Sequence, residues 1–188
     1  MSRGGCDPEH PPSSKCSAFT PSAATVKAMI INSANLMGGS SEPDNFRGFG
    51  RVHLEPGLPL DGVDETGLLV VDSSEATISS FGENTEVVMV NADAGVELRA
   101  TLCWLDPPTT ALSATQLLHD LDLVVTAPSG ATYTMWASGV VDTVNVIERV
   151  IVPASSMESG AWSVIVSAKG LLTDEQSYSL VVTGAIYN

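Results

Sequence analysis

From Asp61 onward the chain is written in short runs of alternating apolar and polar residues, separated by turn residues, with hardly any helical period. The runs are residues 68–72, 76–80, 85–92, 96–106, 121–127, 132–136, 146–154, 161–168 and 178–184. A two-residue period puts alternate side chains on opposite faces of a strand, so each run can bury one face. Val96, Leu98, Ala100, Leu102 and Trp104 share one face, Trp162, Val164, Val166 and Ala168 another, and Tyr178, Leu180 and Val182 a third. Strands this short, with turns this close, predict a mainly β fold: an antiparallel β-sandwich or jelly-roll barrel. Trp104, Trp162 and Tyr178 fall at inward positions and are expected to fill its core.

The stretch from Leu118 to Tyr133 shows the pattern most clearly. Leu121, Leu123 and Val125 alternate with Asp122, Val124 and Thr126, and Pro128-Ser129-Gly130 turns the chain into a second strand, so a β-hairpin is expected. Asp120 and Asp122 fall on one side at its start, where two carboxylates crowd an apolar element and call for a neutralising partner.

The segment before Asp61 is different in kind. Residues 1–17 carry Gly4-Gly5, Pro8, Pro11-Pro12 and few apolar residues, which predicts a mobile, disordered loop. Thr20-Pro21-Ser22 then supplies a capping hydroxyl and a proline for the first helical position, and Val26, Met29, Ile30 and Ala34 recur at helical spacing up to Gly38-Gly39. One helix over about residues 21–35 follows. It is apolar over too wide an arc to stand alone in water and needs a partner. The glycines of Gly48-Phe49-Gly50 permit a tight backbone approach.

Charge separates the two parts again. Five Lys or Arg and five Asp or Glu precede Asp61, leaving three basic against seventeen acidic residues after it, so the net charge of −14 sits wholly in the second part. Such a surface repels nucleic acid and anionic lipid and attracts cations, or simply solvates the protein. A membrane span is not expected, for want of a long uncharged apolar window, and the first residues lack a signal-peptide pattern. Of the three cysteines, Cys6 and Cys16 can bridge in an oxidising compartment, and Cys103 reads as a small buried thiol.

Several separate stretches, in order, resemble one family. Pro21-Ser22-Ala23-Ala24-Thr25-Val26-Lys27-Ala28-Met29-Ile30-Ile31-Asn32-Ser33-Ala34 resembles the helix after the catalytic-serine helix of subtilisin-like serine proteases. Gly48-Phe49-Gly50-Arg51-Val52 is similar to the Gly-x-Gly-Arg-Val segment that closes their catalytic domain. Leu102-Cys103-Trp104-Leu105-Asp106-Pro107-Pro108, His119-Asp120-Leu121-Asp122-Leu123, Asp142-x-x-Asn145-x-x-Glu148 and Tyr178-Ser179-Leu180-Val181-Val182 resemble the C-terminal jelly-roll domain of the oxidatively stable alkaline branch. The resemblance runs from Phe19 to the end and implies two parts: residues 1–60 as the last piece of a catalytic domain, and residues 61–188 as a β-jelly-roll domain that packs on it in cis and stabilises it.

The resemblance also implies calcium, with Asp120, Asp122, Asp142, Asn145 and Glu148 offering the hard oxygen ligands that ion takes, although Asp at strand ends also caps turns. Val146 stands where a second asparagine is expected, and the loop over residues 135–141 lacks the acidic residues of relatives. Peptide substrates and secretion follow for a parent protease. A subtilase attacks the peptide bond with a serine activated by a histidine that an aspartate orients. None of the three can be placed in family-like context here: His10, His53 and His119 read as surface or capping histidines, and the Gly-Thr-Ser-Met-Ala segment would lie upstream of Met1. No catalytic residue is therefore assigned and no peptidase activity is expected of the chain alone. The alternatives are a free-standing β-sandwich that binds carbohydrate or protein through exposed aromatics, and a degenerate enzyme using Ser and His groups of its own.

Overall fold

The side of each run that carries its large apolar residues decides where the strand goes. The computed structural model describes residues 4–6, 19–38, 43–58, 66–79, 85–110, 112–113, 116–136 and 142–187. In chain order these form β1 (Gly4–Cys6), α1 (Ala23–Asn32), β2 (Gly67–Val71), β3 (Thr77–Ser79), β4 (Thr85–Ala92), β5 (Leu98–Trp104), β6 (Asp120–Thr126), β7 (Thr132–Tyr133), β8 (Ile147–Val152), β9 (Gly160–Gly170), β10 (Glu175–Gly184) and β11 (Ile186–Tyr187). Every run expected to be a strand contains one. One sheet has the order β1-β2-β10-β5-β8, with β3 also on β10, and the other has the order β11-β4-β9-β6-β7. All pairings are antiparallel.

From β4 to β10 the chain passes back and forth between the sheets, which is the strand order of a jelly roll. The form is an open sandwich: among the described residues no strand of one sheet pairs with a strand of the other, so the barrel expectation gives way to two stacked sheets. Their inner faces are the expected ones. Leu98, Ala100, Leu102 and Trp104 of β5 and Tyr178, Leu180 and Val182 of β10 meet Leu121, Leu123 and Val125 of β6 and Trp162, Val164 and Val166 of β9, all buried in one cluster. Trp104 donates its indole N–H to His119 O (3.0 Å) and Trp162 donates to Glu158 O (2.8 Å), so neither large ring buries an unpaired donor. The β6–β7 hairpin forms as expected, and Gly130 takes φ +91° in its turn.

The outer face of the first sheet is also buried, because α1 lies across β10 and β5. Ser22 caps the helix by accepting from Thr25 N, and Pro21 stands outside it rather than at its first position. The helix ends at Asn32, ahead of the Gly38-Gly39 stop expected from sequence. The face it presents also differs from expectation. Ala24, Thr25, Ala28 and Asn32 are buried against Cys103, Ile147 and Val181, whereas Val26 and Ile30 are each 42% exposed. Small side chains let a helix sit close to a sheet, and close approach is what lets its polar groups reach the strands. Asn32 Nδ2 donates to Thr101 Oγ1 (3.2 Å) and Val181 O (3.2 Å), and its Oδ1 accepts from Thr183 Oγ1 (2.8 Å). Thr25 Oγ1 lies 2.6 Å from Asp72 Oδ2 and 2.8 Å from Ser179 Oγ.

Two arginines of the sheet secure the far end of the helix. Arg149 Nη1 donates to Ile31 O and Ala34 O, and Arg99 Nη1 donates to Asn32 O. They add donors to carbonyls at and just past the C-terminal end of the helix and place positive charge at its negative end. The Arg149 guanidinium also lies 5.2 Å over the Phe49 ring, which ties the Gly48–Val52 segment to the same point. That segment pairs through Asn35 and Arg51, and Gly50 makes the pairing possible: at φ +99°, a Cβ there would fall 2.1 Å from Asn35 O.

Of residues 1–17, Gly4–Cys6 is described, as an edge strand on β2; the remainder of the expected loop, His10 and the Cys6–Cys16 alternatives lie outside the described residues. Cys103 is free and buried. No helix among the described residues is long and apolar enough to cross a membrane.

Replacing Asn32 by Leu keeps the branched shape, though with a larger volume, and takes the acceptor from the Thr183 hydroxyl and the side-chain donor from Thr101 Oγ1, Arg99 O and Val181 O. Asn32→Leu is expected to lower stability by about 2–4 kcal/mol, measured as the urea midpoint shift. An unchanged midpoint would mean that the helix is held by apolar contact alone.

Candidate functional site

At one end of the sandwich, β6 and β8 begin and β9 ends, and the carboxylates singled out by sequence come together there. Alternation along β8 puts Glu148 on the inner face with Val150 and Val152, opposite Leu102 of β5. Its side chain therefore enters the space between the sheets, and Oε2 accepts from Leu123 N of β6 at 2.7 Å. Asp120 and Asp122 lie on the outward side of β6. Asp142 precedes β8 in a turn of its own making: Oδ1 accepts from Val144 N (2.9 Å) and Asn145 N (3.1 Å), and Oδ2 accepts from Asn145 Nδ2 (2.7 Å). Asn145 is thus exposed and holds Asp142 in place, one step removed from the other carboxylates.

The group is electrostatically strained. Burial pushes the Glu148 carboxyl up from 4.5 to about 8, against the Leu123 N–H that favours its charged form, and the charges of Asp122, Asp142 and Asp120 add to the rise. Burial likewise raises Asp120, helped by Asp122 and Asp142 and opposed by Lys169. Asp120 Oδ1 and Asp122 Oδ1 are buried with no hydrogen-bond partner. Lys169 Nζ lies 3.4 Å from Asp122 Oδ2, a partial answer to the crowding expected at the start of the hairpin. Orphaned buried carboxylate oxygens are the donor set a hard divalent cation takes. Yet among the described residues no group of three or more His, Cys, Asp or Glu side chains is placed to hold a metal ion, so four carboxylates that fit calcium in chemistry have not converged into a cage.

His119, expected at the surface or as a cap, is instead buried beside this cluster. The physical reason is its hydrogen bonding. Gln176 Nε2 donates to Leu105 O (3.2 Å) and Ser177 O (2.7 Å), which leaves Gln176 Oε1 to accept from His119 Nδ1. Nε2 then accepts from Thr173 N (3.2 Å), and Asp106 accepts from Leu118 N and His119 N through its two oxygens. The sequence held a signal for this in Asp106 and Gln176 flanking strands, but only the fold brings them to the ring. Thr173 Oγ1 lies 3.1 Å from Nε2 and donates to Glu175 O (3.0 Å). The Nε2 lone pair is already taken by a backbone N–H, so this His–Thr pair does not make an activated nucleophile. His53 is exposed, between Asn35 Nδ2 (2.9 Å) and Glu55 Oε2 (3.0 Å).

A different carboxylate serves the fold. Asp72 is buried, which alone would raise it, but donation from Ser22 N (2.8 Å), Thr25 Oγ1 and Ser74 N (2.9 Å) outweighs burial and holds it well below the usual carboxylate range.

No family model matches the chain. It is 28% identical over 177 residues to the serine protease/ABC transporter B family protein tagA of Dictyostelium discoideum, a match covering 87% of this chain and 10% of that protein. The chain thus spans about a tenth of the length of that curated relative. Among solved structures, the CspB protease of Clostridium perfringens superimposes with a TM-score of 0.31 at 12% identity, over 59% of this chain and 25% of that one, a likeness too slight to carry an argument. The chain is similar, over most of its length, to a protein with a protease name.

The shift of Glu148 sets a pH dependence. Its folded state holds a proton that the unfolded chain releases from about 4.5 upward, so stability falls as pH rises from there to about 8 and levels beyond. Asp120, also raised, acts with the same sign, while Asp72, depressed, adds stability that is lost only as pH falls into the acid range. Glu148→Gln keeps an acceptor for Leu123 N and cannot ionise. In EDTA, urea unfolding at roughly pH 5 and 9 should show a wild-type loss on the order of a few kcal/mol that the variant mostly lacks. Equal loss in both proteins would place the pH dependence elsewhere.

Proposed function

We propose that this chain is the closing part of a subtilisin-like serine endopeptidase. In this reading residues 1–60 complete the catalytic domain, and residues 61–188 are a β-domain that packs on it in cis and raises its stability. The observation that carries the reading is the divided helix: α1 is locked to the β-sheet by its small and polar face while Phe19, Val26 and Ile30 remain exposed, with Val52 and Leu54 of the following segment exposed as well. An amphipathic element that spends its small side chains on one layer and offers its large ones outward is suited to lie between two layers. The protease name of the relative supports the choice of second layer. Peptides are the substrate class of the parent, and secretion is its expected setting.

Calcium belongs to the same proposal. Asp120, Asp122, Asp142 and Glu148 would hold it, with Asn145 keeping Asp142 in position, and the ion would supply the positive charge that four crowded carboxylates lack. An ion bound only by the folded form stabilises that form by mass action.

Two measurements test the reading. A fluorophosphonate probe is expected to leave the 188-residue chain unlabelled, and the coding sequence ahead of Met1 is expected to contain a Gly-Thr-Ser-Met-Ala segment; labelling of the chain would sink the assignment. For the ion, millimolar calcium should raise the melting temperature above its value in EDTA, and Asp122→Ala should abolish that increment while still folding. Coincident melting curves in calcium and in EDTA would remove calcium from the account.

A further inference from the structure

We infer that the end of the sandwich where β5 and β9 finish is a docking surface for a cationic, leucine-bearing peptide segment of a partner protein, with Leu112 as its anchor. The inference stands apart from the protease reading and needs no metal ion.

The first observation is where the apolar side chains lie. Three connections meet at this end: the one from β5 to β6, the one that enters β8 and the one from β9 to β10. Among their described residues Leu105 is 62% exposed, Leu112 102%, Val144 73% and Leu172 72%. The connections are neighbours, since Gln176 Nε2 donates to Leu105 O, His119 Nε2 accepts from Thr173 N and Trp104 N donates to Val146 O. At the opposite end, the connections over residues 93–97, 127–131 and 153–159 expose one large apolar side chain, Val96 at 40%. Single exposed leucines are ordinary, but a set gathered at one end marks a contact surface.

The second is the way Leu112 is held. Among the described residues it is the one non-glycine with a positive φ, at +68°. It takes the third position of a turn that Ser113 N closes onto Thr110 O (3.2 Å), where glycine is the unstrained choice. The loop that presents it is tied at its base, where Asp106 accepts from Leu118 N (2.7 Å) and His119 N (2.9 Å). It is tied again nearer the tip, where Thr109 Oγ1 donates to Gln116 Oε1 (3.0 Å) and Gln116 Nε2 to Ser113 O (2.9 Å). A fully exposed leucine adds no packing to offset its strain; on a braced loop it is an anchor organised in advance of binding.

Charge selects the occupant. Asp120, Asp122 and Asp142 interact with one another at this end, and Asp174 and Glu175 are exposed beside Leu172. Of the three basic residues after Asp61, Arg99 and Arg149 are committed to the end of α1, and Lys169 alone is here. Such a rim repels anionic lipid and acidic protein, whereas Lys or Arg side chains flanking leucines match it.

The test uses the whole 188-residue chain in EDTA at low salt and a labelled amphipathic peptide of Lys and Leu, read by fluorescence anisotropy. Wild type should bind it. Leu112→Gly should weaken binding about tenfold, as expected for an interface that loses one buried leucine, while melting no lower than wild type. Leu172→Ser should also weaken it, and Val87→Ser, on the outer face of the second sheet, should leave it unchanged. Peptides of Glu and Leu or of Lys and Ser should bind far more weakly. Absence of wild-type binding, equal binding by either control peptide or by Leu112→Gly, or an equal loss in Val87→Ser would overturn the inference. Sedimentation of wild type, but not of Leu112→Gly, with phosphatidylcholine vesicles would overturn it too, by making the surface a membrane contact.

Discussion

The hydroxyl groups of Thr101, Ser179 and Thr183 lie on the outer face of β5 and β10, and all three are buried. A buried hydroxyl without a partner costs a kilocalorie or more. Their partners are Asn32 and Thr25 of α1, and the position of the helix follows from that requirement. It must sit close enough for a short amide and a threonine to reach the strands, hence Ala24 and Ala28 at the contact. It must also run so that its C-terminal carbonyls come to Arg99 and Arg149. Polar satisfaction, more than apolar area, fixes this layer, and the larger apolar side chains are left facing out.

The same alternation that gives the sandwich its core sends two adjacent charges in opposite directions. Glu148 points between the sheets and joins the carboxylates at the end of the sandwich. Arg149 points outward to the helix and Phe49. Each is buried without the other as a partner, so β8 distributes charge rather than pairing it. The outward charge finds carbonyls, whereas the inward one meets only one backbone N–H and three like charges. Neither end is fully satisfied: Arg149 keeps one buried Nη2 without a partner, as Asp120 and Asp122 each keep one oxygen.

Histidine and aspartate, the residue types most readily read as chemistry, are used here in two ways. His119 and Asp106 are fully engaged in joining the β5–β6 connection to the turn before β10, and Asp72 is engaged in joining α1 to β2. Both ring nitrogens of His119 and both carboxylate oxygens of Asp106 and of Asp72 already meet partners within the fold. The cluster at Asp120 and Asp122 is the contrasting case, since it keeps oxygens that nothing in the described residues meets. Residue type alone does not separate the two uses; the count of remaining acceptors does.

The sequence by itself determined the strands and their inward faces, because a two-residue period leaves each strand one way to bury Leu121, Leu123 and Val125 or Trp162, Val164 and Val166. It also offered Asp120, Asp122, Asp142, Asn145 and Glu148 as oxygen donors from two segments, which a family resemblance and not their spacing set side by side. Tertiary structure alone decided that the sandwich stays open, that α1 buries its small face and stops at Asn32, that His119 is interior, and that a bulge delivers Lys169 to Asp122. The division has one physical cause: periodicity is a local property of neighbouring residues, whereas hydrogen-bond partners and charge neighbours are chosen among residues far apart in sequence, after the strands have found their order.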